Sequence, residues 1–149
     1  MTLVGVLAAD ISLYASDYRA AERTFQLLTQ AAGRAGRGEQ AGEAVIQTYM
    51  PEHYSIQAAV KQDYEAFYRQ EIAYRNLMGY PPVETMMGIY LSAGDQELLE
   101  EKTKTLGIFI REMQQQEVLM IGPADAALTR LNDRYRKVIY LKSRQEETL

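Results

Sequence analysis

The stretch Gly79-Tyr80-Pro81-Pro82 limits the fold more than any other part of this sequence. A helix ends readily on glycine, which tolerates the left-handed backbone of a C-terminal cap, and neither proline can donate an amide to a helix or an inner strand. The elements before and after it must therefore be separate, and the apolar rhythm changes across it. We read it as a boundary between residues 1–79 and residues 80–149. With 149 residues, 47% hydrophobic and 24% charged, the chain is long enough for one full domain or two small pieces.

Before the boundary, Leu3-Val4-Gly5-Val6-Leu7 is a continuous apolar run that predicts a strand buried on both faces of a parallel sheet. The run to Ala9 has no basic leader and is too short to span a bilayer, so it reads as neither signal peptide nor anchor. Asp17 is the expected N-cap of a helix over residues 18–35. "EAVIQTY" reads as a second strand, followed by helical segments at His53–Gln62 and Asp63–Met78. After the boundary, "VETMMGIYLS" predicts a strand and "DQELLEEKTKTLGIFIREMQQQ" a long helix, with Leu99, Leu106, Ile110 and Met113 as its core stripe and an acidic, solvated start. "VLMIG" and "RKVIYLKS" predict two more strands, with "TRLNDRYR" as the loop leading into the second. Strand, helix, strand, strand is most of a small α+β sandwich that a second helix and fourth strand would complete, so both ends read as cut. The expected class is an α/β piece followed by a partial α+β domain.

The composition excludes several chemistries. There is no cysteine and one histidine, so neither a disulfide framework nor a thiolate metal site can form, and we predict no metal ligands. A net charge of −4 gives no overall attraction to nucleic acid, so anion binding must be local. Two places could supply it. On a 100° helical wheel Ala21, Phe25, Leu28 and Ala32 share one side, while Arg19, Arg23, Gln26, Gln30, Arg34 and Arg37 share the other, with no acid among them and Glu22 off the stripe. A row of guanidinium and amide groups running into Gly33, Gly36 and Gly38 suits a polyanion, and equally an exposed basic helix end with a glycine turn. The second place is Arg130 to Arg144, where six basic residues face the single acid Asp133. Arg134, Arg136 and Lys137 are its candidate phosphate contacts, with Tyr135 as a stacking face, and a positively charged edge strand is the equal alternative. His53 reads as a surface or packing residue, and Tyr64, Phe67, Tyr68 and Tyr74 as packing between domains rather than a base-stacking row.

The run Gln30-Ala31-Ala32-Gly33-Arg34-Ala35-Gly36-Arg37 resembles the sixth motif of superfamily-two helicases, Gln-x-x-Gly-Arg-x-x-Arg. Its flanks, "SDYRAAERTFQLLTQAAGRAGRG" and "GEAVIQTYMPEHYSIQAAVKQDYEAFYRQEIAYRNLMGYPP", resemble the primosomal protein N-prime family of replication-restart DNA helicases. "IGPADAALTRLNDRYRKVIYL" resembles the start of that family's C-terminal domain. The resemblance implies that residues 1–79 are the tail of a second RecA-like lobe and residues 80–149 an incomplete C-terminal domain. It implies arginine fingers at the γ-phosphate for Arg34 and Arg37, and a cofactor contact at the lobe interface for Gln30 and Gly33. ATP and Mg²⁺ are then cofactors of the full-length protein, as is zinc, held by cysteines absent here. The implied partners are single-stranded or forked DNA, other primosome proteins and single-stranded DNA-binding protein, in the cytoplasm and without a membrane. The sequence departs from the family pattern in having no Gly-x-x-x-x-Gly-Lys-[Ser/Thr] loop and no Asp-Glu-x-His box, and in placing Lys137 where relatives often carry an aromatic. A binding module that works without nucleotide is the alternative.

Nothing in these 149 residues cradles the β- and γ-phosphates. The chain alone is therefore expected to hydrolyse no ATP above background, with or without single-stranded DNA. A steady-state assay showing DNA-stimulated turnover that co-purifies with it would overturn the helicase-fragment reading.

Overall fold

The first apolar run forms strand β1 (Leu3–Val6), paired in parallel with β2 (Glu43–Ile46), so that Leu3 lies opposite Glu43 and Val6 opposite Ile46. A 3-10 turn (Ile11–Tyr14) and helix α1 (Ala20–Ala35) connect them. Helices α2 (Tyr54–Lys61) and α3 (Tyr64–Met78) follow. The structure is a computed structural model that describes residues 3–35, 42–113, 117–145, 147 and 149. It divides into two units, Met1–Tyr74 and Arg75–Leu149, and mixes helix and sheet. No helix among the described residues is long and apolar enough to cross a membrane.

The first strand is not buried on both faces. Val6 and Ile46 pack against a core of Phe25, Leu28, Ile56, Ala59 and Phe67, whereas Leu3, Gly5 and Val45 on the other face are exposed. A continuous apolar run specifies burial only where both faces are covered, and here one face is. The loops beyond the strands are joined by Asp10, which is buried. Its carboxylate accepts hydrogen bonds from the Tyr49 amide (2.9 Å) and the Thr48 hydroxyl (2.8 Å), and these hold its pKa below the ordinary carboxylate value.

Helix α1 starts at Ala20, two residues later than expected, so Asp17 is not its N-cap. Asp17 organises the turn that leads in, its carboxylate accepting from the Arg19 amide (2.9 Å) and its carbonyl from the Ala20 amide (2.9 Å), while the Arg19 carbonyl accepts the first helical bond, from the Arg23 amide. Phe25 then stacks on Phe67 with ring centroids 4.4 Å apart. Phe67 is core, but Tyr64, Tyr68 and Tyr74 are exposed within their unit, so the α3 aromatics do not act alike. At the other end of α1, a Cβ on Gly42 would collide with the Ala35 carbonyl, so glycine is required where the helix end meets the approach to β2.

In the second unit, Gly79 adopts φ +60° and the Tyr80 amide donates to the Arg75 carbonyl (2.9 Å), closing α3 in the manner of a left-handed C-cap. Strand β3 (Thr85–Ala93), helix α4 (Gln96–Met113) and strands β4 (Val118–Leu131) and β5 (Arg134–Ser143) follow, in an antiparallel sheet of order β3-β5-β4. Asn132 and Asp133 both have positive φ, 51° and 57°, as a two-residue type I′ hairpin demands. "TRLNDRYR" is therefore the tip of a hairpin rather than a loop, because β4 is far longer than its apolar start "VLMIG" indicates. Helix α4 covers one face of the sheet, Leu106 and Ile110 packing on Val118, Ile139 and Leu141. Gly107 lets it approach closely, since a Cβ there would lie 3.0 Å from Pro123 Cγ. Leu99 is core, but Met113 is 67% exposed: the helical period gives a direction, and at the last residue of α4 no described neighbour covers it.

His53 is the N-cap of α2. Its Nδ1 accepts from the Ser55 amide (3.3 Å), its ring stacks on Tyr54 (4.5 Å), and Tyr54 donates to Glu71 (2.6 Å). Desolvation pushes the imidazole pKa down, with Glu71 opposing. A depressed folded pKa contributes stability that is present above the ordinary value of 6.5 and is lost as pH falls through the folded value. Urea unfolding at pH 7.5 and 5.5 is expected to show a loss on acidification that His53→Asn reduces, since asparagine caps without titrating. Equal pH dependence in both proteins would remove His53 as the cause.

Candidate nucleotide and nucleic-acid sites

The polar stripe faces solvent: Arg19 just before helix α1, and Arg23, Gln26, Gln30 and Arg34 on it, are all exposed, opposite the buried Phe25 and Leu28. The stripe is not free of acids at its beginning. Arg23 pairs with Asp17 at 2.8 Å and Gln26 donates to Glu22 at 3.2 Å. Asp17 precedes the helix, so a wheel does not place it, and Gln26 reaches back one turn to Glu22. The last turn differs. Gln30 and Arg34 lie one turn apart on one face, Arg34 has no acid partner among the described residues, and a Cβ on Gly33 would meet nothing within 4 Å. Glycine inside a helix costs about 0.5–1 kcal/mol against alanine, and no contact within the described residues requires it there. Arg37, Gly36 and Gly38 lie outside the described residues.

The basic stretch of the second unit is organised by β5. Side chains alternate, so Lys137, Ile139 and Leu141 face α4, and Arg134, Arg136, Val138, Tyr140 and Lys142 face the other way. Lys137 sits between Glu100 of α4 (2.8 Å) and Asp125 of β4 (3.0 Å), and these two carboxylates raise its pKa. Arg134 donates to the Ser92 carbonyl (2.9 Å), Arg130 pairs with Asp133 (3.0 Å), and Arg144 pairs with Glu84 (3.3 Å). Lys142 is buried, donating to the Met78 carbonyl (2.9 Å) beneath the Tyr80 ring (3.9 Å), and desolvation lowers its pKa. The local excess of positive charge is thus explained in part by packing: acids distant in sequence answer it. Arg136 is different, its guanidinium lying 5.8 Å from the centre of the Tyr90 ring.

Residues 76–149 match the family model described as the primosomal protein N C-terminal domain. Over all 149 residues the chain is 41% identical to the replication restart protein PriA of Bacillus subtilis. This chain belongs to the PriA family. It is also similar to the PriA proteins of Synechocystis (39% identity over 95% of the chain) and Thermotoga maritima (34% over 97%). The chain spans 18%, 17% and 19% of the lengths of these three relatives, respectively.

Seen as PriA-family sequence, the two candidate regions fall in different units, α1 in the first and the β4–β5 hairpin in the second. Gln30, Gly33 and Arg34 are together at one exposed helix end; Arg134 and Arg136 share a sheet face that Lys137 does not. The partners of Lys137 were not legible. Counting back from the Asn132-Asp133 turn puts Tyr140 opposite Asp125, whereas a register shift between Asp125 and Arg130 brings Lys137 there. That Tyr90 and Tyr140 share a face follows from the β3–β5 register, which no local pattern in the sequence encodes. Removing Lys137 leaves two carboxylates without their shared cation, so Lys137→Met is expected to cost about 1 kcal/mol. A double-mutant cycle with Glu100→Gln in chemical denaturation should show coupling, and strict additivity would mean that the pair contributes nothing.

Proposed function

We propose that this chain is part of an ATP-driven DNA helicase of replication restart, with α1 reaching a nucleotide bound by another lobe and the second unit contacting DNA. The first unit then corresponds to the end of a RecA-like lobe, a reading supported by its parallel β1–α1–β2 arrangement. The observation that carries the proposal is the last turn of α1. Arg34 is exposed beside a glycine that no described neighbour requires, inside a run matching Gln-x-x-Gly-Arg-x-x-Arg, in a chain alignable along its whole length to PriA proteins.

Guanidinium groups suit the role, because phosphoryl transfer is accelerated by positive charge on the transition-state oxygens and needs no covalent help from the protein. A planar fork can bind two oxygens where an ammonium binds as a point. Arg34 and Arg37 are the proposed fingers, Gln30 orients the contact, and Gly33 permits close approach of the facing lobe. Residues that would cradle the other phosphates or hold Mg²⁺ belong to the rest of the protein. The same holds for zinc, for which this chain has no cysteine and one histidine. In the second unit, Arg134 and Arg136 are the proposed phosphate contacts. Lys137 takes part only by exchanging a carboxylate for a phosphate.

In the full-length protein, Arg34→Ala and Arg37→Ala are each expected to cut ATP turnover by about 10³- to 10⁵-fold. Nucleotide affinity should change far less, because the interaction belongs mainly to the transition state. Turnover within about threefold of the parent would remove that arginine from the mechanism, as lost transition-state contacts exceed ~1 kcal/mol.

A further inference from the structure

We infer that the face of the β3-β5-β4 sheet turned away from α4 is a base-stacking platform for single-stranded DNA, with Tyr90, Tyr140 and Arg136 as its contact row. This rests on the proposed DNA contact of the second unit and names how that contact is made.

The register defines the face. Ser92 lies opposite Arg136, Tyr90 opposite Val138 and Gly88 opposite Tyr140, while β4 adds Leu119, Ile121 and Ala124. Paired residues on neighbouring strands point the same way, so these side chains form one surface. Tyr90 is 57% exposed, and on β4, across β5 from β3, Leu119 and Ile121 are exposed too, Ile121 opposite Tyr140. The two tyrosines are fixed to each other: their rings meet edge to face at 6.3 Å and their hydroxyls lie 3.2 Å apart. Gly88 makes room for them, since a Cβ there would lie 3.0 Å from Tyr90 Cε2 and 3.3 Å from Tyr140 Cε1. A glycine inside a strand weakens it, and here its absent side chain lets both rings lie low across the sheet. Arg136 borders Tyr90 on the other side, 5.8 Å from the ring centre.

Charge selects the occupant. No acid stands at the strand positions around Tyr90, Tyr140 and Arg136; Glu84, just before β3 at the Lys142 end, is paired with Arg144 (3.3 Å), and Asp125 and Glu100 reach Lys137 on the opposite face. Arg134 lies on this face next to Arg136, which gives the surface two guanidinium groups at one end and aromatic rings in its middle. Rings on which bases stack, bordered by cations that reach the phosphates, are what a single strand needs, whereas a duplex keeps its base faces covered.

The test uses the 149-residue chain and two fluorescently labelled strands about a dozen nucleotides long, one of thymidines and one abasic with the same phosphates. The thymidine strand is expected to bind about 5- to 100-fold more tightly. Tyr90→Leu with Tyr140→Leu should bring that ratio to near one without changing the salt dependence, and circular dichroism checks that the sheet remains. Tyr90→Phe with Tyr140→Phe keeps the rings and should keep the ratio. Arg134→Ala with Arg136→Ala should instead flatten the salt dependence by about two phosphate contacts. Equal binding of both strands by the parent overturns the platform while leaving a phosphate contact standing, and so does a leucine variant that keeps the ratio. If neither strand binds, the DNA contact of the second unit fails, and the platform with it.

Discussion

The second unit depends on β5, the only one of its strands with a neighbour on each side among the described residues. Two different surfaces are specified by its alternation. Ile139 and Leu141 supply the apolar seat for α4, and Arg136, Val138 and Tyr140 belong to the opposite face. A slip of one residue would turn Tyr140 and Lys142 onto the helix and expose Ile139. The register is held at both ends, by the two positive-φ residues of the hairpin turn and by Lys142, whose ammonium is fixed on the carbonyl of Met78. The sheet is thus tied to the end of α3 by a cation with little access to water.

Helix α1 has an analogous division of labour. Its buried side is strengthened by the stack of Phe25 on Phe67 and by the buried hydroxyl of Thr24, which donates to Ala20 and meets Ser12. Its exposed side carries a glycine that lowers helix stability. The two are compatible because tertiary packing rather than intrinsic propensity decides whether such a helix forms. Asp10 fixes the loops from which that packing starts, and a buried carboxylate with two donors on one oxygen costs far less than one left without them.

Elements governed by local rules were legible in the sequence. Gly79 and the apolar spacing around Phe25 and Leu28 act over a few residues, and the end of α3 and the buried side of α1 follow from them, whereas α1 starts two residues beyond the turn that Asp17 holds. The parallel pairing of the first strand was readable from its composition, but its exposure was not, because covering a face depends on what else packs there. "TRLNDRYR" hid a hairpin tip because β4 loses its apolar alternation after "VLMIG", leaving turn chemistry as the remaining signal. The candidate sites divide in the same way. Gln30, Gly33 and Arg34 follow one helix period and were found together. The environment of Lys137 depends on a shifted register and a helix more than thirty residues away, and no local pattern encodes either.

The two edges of the three-stranded sheet are unlike. The β4 edge is broken by register shifts and by Pro123, which has no amide hydrogen to offer a neighbour. The β3 edge runs from Thr85 to Ala93 in unbroken register with β5 and contains no proline. A further strand could therefore lengthen the hydrogen-bonded ladder from β3, whereas along β4 its pairing would be interrupted within a few residues. Sheet growth in this unit has a direction, and it is written in the backbone rather than in the charges.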